Sequence, residues 1–284
     1  NVLIQTPVYN NFFNSIRNNG RNVVENELLY DGKEYRIDWE KLEQQLADPQ
    51  TTLMILCNPH NPVGKIWDRE TLAEIGRLCE KYHVTVISDE IHCDLTEPGK
   101  EYVPFASVSE SCRKNSITCI APTKAFNIAG MQTAAVTVPD PFLRHKVWRA
   151  LNTDEIAEPN AFAVDAAVAA FTQGEWLDAL RGYISQNRQT VAAFIASSLP
   201  ELRLIRAEAT YLLWIDCSAV TDDSVEFTEF LRTEAGLYIS DGAEYGETGR
   251  KFVRMNIACP ASTLREGLMR LKNGTEKYKE SKRK

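Results

Sequence analysis

No apolar run in this chain approaches the roughly 20 consecutive residues that a bilayer span requires. No charged-then-apolar segment opens it either, so no membrane partner is expected. Positive charge is also in short supply. The 32 Lys and Arg face 39 Asp and Glu, and the net charge of −7 argues against nucleic acid or an anionic membrane as the main partner. Paired cysteines are absent. Cys57, Cys79, Cys93, Cys112, Cys119, Cys217 and Cys259 are odd in number, scattered, and contain no Cys-x-x-Cys. That pattern excludes a disulfide framework and reads as small buried thiols in a reducing, cytoplasmic setting. Cys57 and His60 have ligand-like spacing, but no second pair accompanies them, so no metal is expected. Internal repeats are lacking, and so is an initial Met. The chain opens strand-like at Asn1-Val2-Leu3-Ile4-Gln5, which reads as a chain cut at its amino end.

What is present is a composition that builds cores. A 44% hydrophobic content over 284 residues exceeds what one core usually organises, so two domains are expected. Val2–Gln5, Thr52–Cys57, Val84–Ser88 and Ile117–Ile120 are short apolar runs that read as buried parallel strands, and Thr133–Val138 reads as one more. Trp39–Leu46 reads as a helix capped by Asp38. A second helix, capped by Asp68, runs through Tyr82 and carries Leu72, Ile75, Cys79 and Tyr82 on one face. Residues 157–199 are helical in pattern, broken near Gly174 and stopped by Pro200. Beyond them Leu202–Ala207, Tyr211–Cys217, Leu237–Ser240 and Phe252–Ala258 read as strands, and Ser224–Glu234 and Ser262–Leu271 as helices. The expected fold is therefore α/β: a mostly parallel sheet with helices on both faces over residues 1–180, and a smaller α+β domain over 181–284. The division falls near Arg181 inside a long connecting helix. The basic tail from Lys272 to Lys284 reads as a solvated end.

Three segments carry the chemistry: Asn58-Pro59-His60-Asn61-Pro62-Val63-Gly64, Ser88-Asp89-Glu90-Ile91-His92 and Ala121-Pro122-Thr123-Lys124-Ala125-Phe126-Asn127. Each starts where an apolar run ends, and open α/β sheets bind ligands at the carboxyl ends of their strands. One amide, one carboxylate and one lysine thus meet at one sheet edge, the set that a pyridoxal phosphate enzyme needs. Singly, each residue reads more simply. Lys124 alone is a surface lysine, Asp89 a helix cap or salt bridge, and Asn61 a turn residue. His92 alone is structural, Tyr9 a packing aromatic, and Arg254 an exposed strand arginine. The combination outweighs these. Lys124 sits in a mostly apolar neighbourhood that favours its neutral amine. Asp89 ends an apolar strand, where a carboxylate needs a cationic partner. Arg254 has a planar fork suited to a carboxylate.

In this order these residues resemble the fold-type I, pyridoxal-phosphate-dependent class I/II aminotransferase superfamily. Asp89-Glu90-Ile91-His92 with Asp94-Leu95, the Lys124 segment and Phe252-Val253-Arg254-Met255-Asn256-Ile257-Ala258-Cys259-Pro260 are similar to its branch of cystathionine β-lyases and cysteine C–S lyases. The resemblance covers essentially the whole chain and implies the following roles. Lys124 would hold the cofactor as a Schiff base and move the Cα proton. Asp89 would pair with the pyridine nitrogen, Asn61 with the cofactor's O3′, and Tyr9 would stack on the ring, with His92 nearby. Arg254 would bind the α-carboxylate of an amino-acid substrate. A homodimer of the full-length parent is also implied. The activity implied is α,β-elimination of a thiol from an S-substituted cysteine. An aminotransferase and a non-catalytic fragment are the alternatives. The chain departs from the family pattern at Ala121, where many relatives have serine, and at Gln132, where many have the arginine that grips the cofactor phosphate. His92 stands where aminotransferases often have tyrosine, which favours the lyase branch. The family's glycine-rich phosphate loop would lie upstream of Tyr9, so roughly the first quarter of a typical relative is expected to be missing.

Overall fold

The computed structural model describes residues 1–283. In chain order the first half comprises β1 (Val2–Thr6), α1 (Asn11–Asn18), β2 (Val23–Glu27), β3 (Leu29–Tyr30), β4 (Tyr35–Arg36) and α2 (Trp39–Leu46). It continues with β5 (Leu53–Cys57), α3 (Arg69–Lys81), β6 (Thr85–Asp89), α4 (Glu110–Lys114), β7 (Ser116–Ile120) and β8 (Ala135–Thr137). The second half holds α5 (Pro141–Thr153), α6 (Ala163–Phe171), α7 (Gly174–Ser198), β9 (Arg203–Leu204) and β10 (Leu212–Asp216). It ends with α8 (Ser224–Ala235), β11 (Ser240–Asp241), β12 (Phe252–Asn256) and α9 (Ala261–Ser281).

Period-two alternation sorts the central strands between two layers. Leu3, Met54, Leu56 and Val86 face Leu42 and Leu46 of α2 and Leu72, Ile75 and Leu78 of α3. Val2, Ile4, Ile55 and Cys57 turn the other way, onto Phe12, Phe13 and Ile16 of α1. Helices therefore cover both faces of a six-stranded sheet ordered β2-β1-β5-β6-β7-β8, parallel throughout except for β8. This is the α/β fold expected. Asp38 and Asp68 cap α2 and α3 by accepting from the backbone N–H of Lys41 and Thr71.

A second sheet, β11-β12-β10-β9, is antiparallel. One of its faces packs Leu213, Ile215, Val253 and Met255 against Ile184, Val191 and Ile195 of α7, Phe227 and Leu231 of α8, and Leu264 and Leu268 of α9. Its other face gives Trp214 and Phe252 to the first core, where the two rings stack with centroids 5.1 Å apart and Trp214 donates to the Tyr35 hydroxyl at 3.0 Å.

Several boundaries differ from the sequence reading. The Leu202–Ala207 strand contracts to Arg203–Leu204, and the Leu237–Ser240 strand becomes Ser240–Asp241. The break expected near Gly174 is borne out, as the gap between Phe171, which ends α6, and Gly174, which begins α7. The basic tail is not a solvated end over its described part. Helix α9 continues to Ser281, Thr275 and Tyr278 are buried, and Lys279 and Lys282 pair with Glu201 and Glu226. Small and aromatic residues at helical spacing seat a face that the surrounding lysines conceal in the sequence. Strand β2 was not foreseen. It is an edge strand with charged residues, mostly half-buried, so it lacks an apolar signature.

Candidate functional site

The carboxyl ends of β5, β6 and β7 lie side by side, with Cys57 opposite Asp89 and Asp89 opposite Cys119. Three tight turns leave these ends. After β5, His60 and Lys65 close a bridge: the His60 N–H donates to the Lys65 carbonyl at 2.7 Å, and the Gly64 N–H donates to the His60 carbonyl at 2.6 Å. Gly64 has φ of +76°, and a Cβ there would lie 2.6 Å from Ala207 Cβ, so only glycine fits this approach. Its carbonyl accepts from the backbone N–H of Glu208 and Ala209, which ties the turn to the segment entering β10. After β7, Phe126 N–H donates to Pro122 O and Ile128 N–H to Thr123 O, which holds Lys124 at the turn's apex.

These turns and β12 enclose a cavity of about 400 Å³ whose wall includes Tyr9, Asn61, Asp89, His92, Lys124 and Arg254. All six residues singled out in the sequence thus share one space. Asp89 is half-buried. Its Oδ1 accepts from the Ile91 backbone N–H at 3.2 Å. Burial is the main reason its pKa is raised to about 6, with Glu90 adding to the rise while Lys124 opposes it. Arg254, half-buried on β12, donates to Asn61 Oδ1 at 3.2 Å and to Ser240 Oγ at 3.4 Å, and its guanidinium lies 4.7 Å from the Tyr245 ring centroid. Tyr9 is half-buried and its hydroxyl accepts from Asn11 Nδ2 at 2.6 Å. His92 is buried edge-on to Tyr211, with Nδ1 unpartnered. Burial and then the nearby Lys124 and Arg254 push its pKa down to about 3, so it is neutral at working pH.

Sequence reasoning passed over Tyr211, Tyr245 and Ser240, and Cys57 as a wall residue. Tyr211 immediately precedes the alternating strand β10 and could have been found by asking which residues face the same sheet edge. Tyr245 lies in a short 3₁₀ turn with no periodic signal. Gln132 is exposed, with φ of 48°, and is not among the residues lining this cavity. Among the described residues no group of three or more His, Cys, Asp or Glu is placed to hold a metal ion.

The profile of the family described as aminotransferase class I and II matches residues 1–271. The chain belongs to that family. Within the class I and II aminotransferases it is 42% identical over 272 residues to cystathionine beta-lyase PatB of Bacillus subtilis, covering 95% of this chain and 70% of that protein. It is 35% identical over 274 residues to protein MalY of Escherichia coli, covering 96% of this chain and 70% of that one. Among solved structures of the family, cystalysin from Treponema denticola, which contains a pyridoxal 5′-phosphate cofactor, superposes with a TM-score of 0.94. That match has 34% identity and covers 97% of this chain and 70% of cystalysin.

A second buried histidine couples stability to pH. His60 is buried, and its Nε2 lies 2.8 Å from the Pro7 carbonyl, which can only accept, so Nε2 carries the proton. Burial lowers its pKa from 6.5 to about 4. Below pH 6.5 the unfolded chain therefore binds the extra proton first, and this contribution to stability is lost as pH falls from 6.5 through about 4. The stability advantage of the native chain over His60→Gln should shrink by about 2 kcal/mol between neutral pH and about pH 4.5. Urea unfolding at both pH values measures this, and a pH-independent difference would refute it.

Proposed function

We propose that this chain is a pyridoxal-phosphate-dependent carbon–sulfur β-lyase of the cystathionine β-lyase type, acting on S-substituted cysteines. The observation that carries the reading is the meeting of Lys124, Asp89 and Arg254 on one cavity wall in a chain so similar to a cystathionine β-lyase. The cavity fits the cofactor's ring. Asp89 is a half-buried carboxylate whose hydrogen bond comes from one backbone N–H, and a protonated pyridine nitrogen supplies the cationic donor it lacks.

When bound, pyridoxal phosphate supplies an electron sink for charge developing at the substrate's Cα. Asp89 would hold the ring nitrogen protonated, Asn61 would bind the ring's O3′, and Tyr9 would lie against the ring. Arg254 takes the α-carboxylate through its planar fork, exchanging its contact with Asn61 for a charged one. Lys124 accepts the Cα proton, after which the Cβ–S bond breaks and the thiolate leaves with the electron pair. His92, neutral and buried, shapes the wall near Lys124 without adding charge. Overall, one S-substituted cysteine and one water give one thiol, one pyruvate and one ammonium ion.

The residues that do this chemistry sit in two proposed domains, 1–180 and 181–284, joined through α7. A homodimer is supported by α5, which buries none of its residues, and by Phe142 and Trp148 on α5, Phe171 on α6 and Phe162 just before α6, all of them exposed. The seven cysteines are all free thiols, which supports a cytoplasmic setting. No helix among the described residues is long and apolar enough to cross a membrane.

The test is to incubate the chain with pyridoxal phosphate and L-cystathionine and to follow thiol and pyruvate together. Equal release of both is expected. Formation of a new amino acid that depends on added keto acid, with no thiol released, would overturn the lyase reading in favour of an aminotransferase.

A further inference from the structure

A second cavity, of about 470 Å³, adjoins the first and shares Thr123, Lys124, Tyr211 and Asn256 with it. Its far wall is one face of α7. Trp176, Leu180, Tyr183 and Ile184 follow one another at spacings of four, three and one, the signature of a single helical stripe. The wall is held in place at several points. Trp176 stacks on Phe126, with centroids 5.4 Å apart and planes at 24°. The Tyr183 hydroxyl accepts from the Ala261 backbone N–H at 2.8 Å. Asn187, three residues beyond Ile184 and buried, donates to the carbonyls of Ile257 and Cys259 at 2.9 and 3.0 Å, so the segment after β12 is fastened to the same helix.

The charge distribution between the two cavities is uneven. The first holds Asp89, Lys124 and Arg254, whereas Lys124, at the shared mouth, is the one charged residue lining the second. An amino acid whose α-carboxylate is on Arg254 and whose Cα is at Lys124 has one direction in which a large substituent meets apolar and aromatic walls. We infer that this second cavity receives the sulfur substituent and that it selects neutral apolar or aromatic S-substituents over zwitterionic ones. The inference rests on the lyase reading above. The distal amino-acid end of cystathionine would bring one ammonium and one carboxylate into a space with no opposite charge for the ammonium, and only the mouth lysine for the carboxylate. A benzyl group would instead cover Trp176, Leu180 and Ile184.

The experiment compares S-benzyl-L-cysteine with L-cystathionine on the cofactor-loaded chain by kcat/KM. The benzyl compound should be favoured by at least about tenfold, the scale on which apolar pockets discriminate. Trp176→Ala should lower the benzyl value by about tenfold and change the cystathionine value far less. Trp176 is 48% exposed, so its removal leaves both cores intact. Leu180→Arg should move the preference towards cystathionine by giving its distal carboxylate a partner. Calorimetric titration of benzyl methyl sulfide into the cofactor-free chain provides a readout independent of catalysis. Binding should occur and should weaken in Trp176→Ala. Equal or better use of cystathionine would overturn the inference while leaving the lyase reading standing. If neither compound releases pyruvate, the lyase reading fails, and the titration alone decides whether the cavity takes apolar groups. Absence of sulfide binding would then overturn the inference as well.

Discussion

Lys124→Ala is expected to cut pyruvate release from an S-substituted cysteine by roughly 10⁴-fold, the upper range for removing a positioned acid–base group. Lys124 is held at the apex of the turn after β7 by backbone bonds that do not involve its side chain. The substitution should therefore leave the circular-dichroism spectrum unchanged. Visible absorbance separates loss of chemistry from loss of folding. The native chain mixed with pyridoxal phosphate should develop a band that the variant lacks. A band of equal strength in the variant would remove Lys124 from its assigned role. A folded native chain without any band would locate part of the cofactor-holding surface outside residues 1–284.

Asp89→Asn is expected to act in opposite directions on stability and activity. The carboxyl pKa is raised from 3.8 to about 6. Between those values the folded chain holds the proton that the unfolded chain has released, so stability falls as pH rises through that window, and the full penalty is present above about pH 6. Asparagine keeps the shape without the charge. The cofactor-free variant should be more stable than the native chain by about 2 kcal/mol near pH 7.5, and the gain should vanish below about pH 4. Activity should fall by at least about 10²-fold, because the amide cannot hold a ring nitrogen protonated. Denaturant unfolding at the two pH values and a pyruvate assay check both halves. A destabilised variant near pH 7.5 would contradict the account of Asp89 as a carboxylate awaiting a cationic partner. Such a cost in stability at a working group is the usual bargain of binding sites.

The site was more legible in the sequence than parts of the fold, and the reason is physical. Asn61, Asp89 and Lys124 each follow an apolar run, and parallel strands buried on both faces announce themselves by such runs. Knowing that three runs lie side by side is enough to place the residues that follow them. Edge elements give no such signal. Strand β2 is mostly half-buried and carries Glu25 and Glu27, so its sequence looks like a loop. Tyr211 and Tyr245 reach the site through the second sheet and a 3₁₀ turn, whose position depends on contacts far apart in the chain, such as that of Trp214 with Tyr35. Tyr278 was hidden by the lysines around it, although its spacing from Leu271 and Leu264 puts all three on one helical face.

Helix α7 carries two sets of instructions in one angular phase. Its amino-terminal half aims Trp176, Leu180 and Tyr183 at the second cavity, and its carboxyl-terminal half seats Val191 and Ile195 in the second core. Successive residues turn by about 100°. Deleting one residue between Tyr183 and Val191 would rotate the whole aromatic stripe away from Lys124 and carry Ile184 out of the second core with it. The length of chain between those two points therefore works as a keyway: Ile184 and Asn187 lie along it, so what the cavity admits and how the second core packs are locked to the same phase.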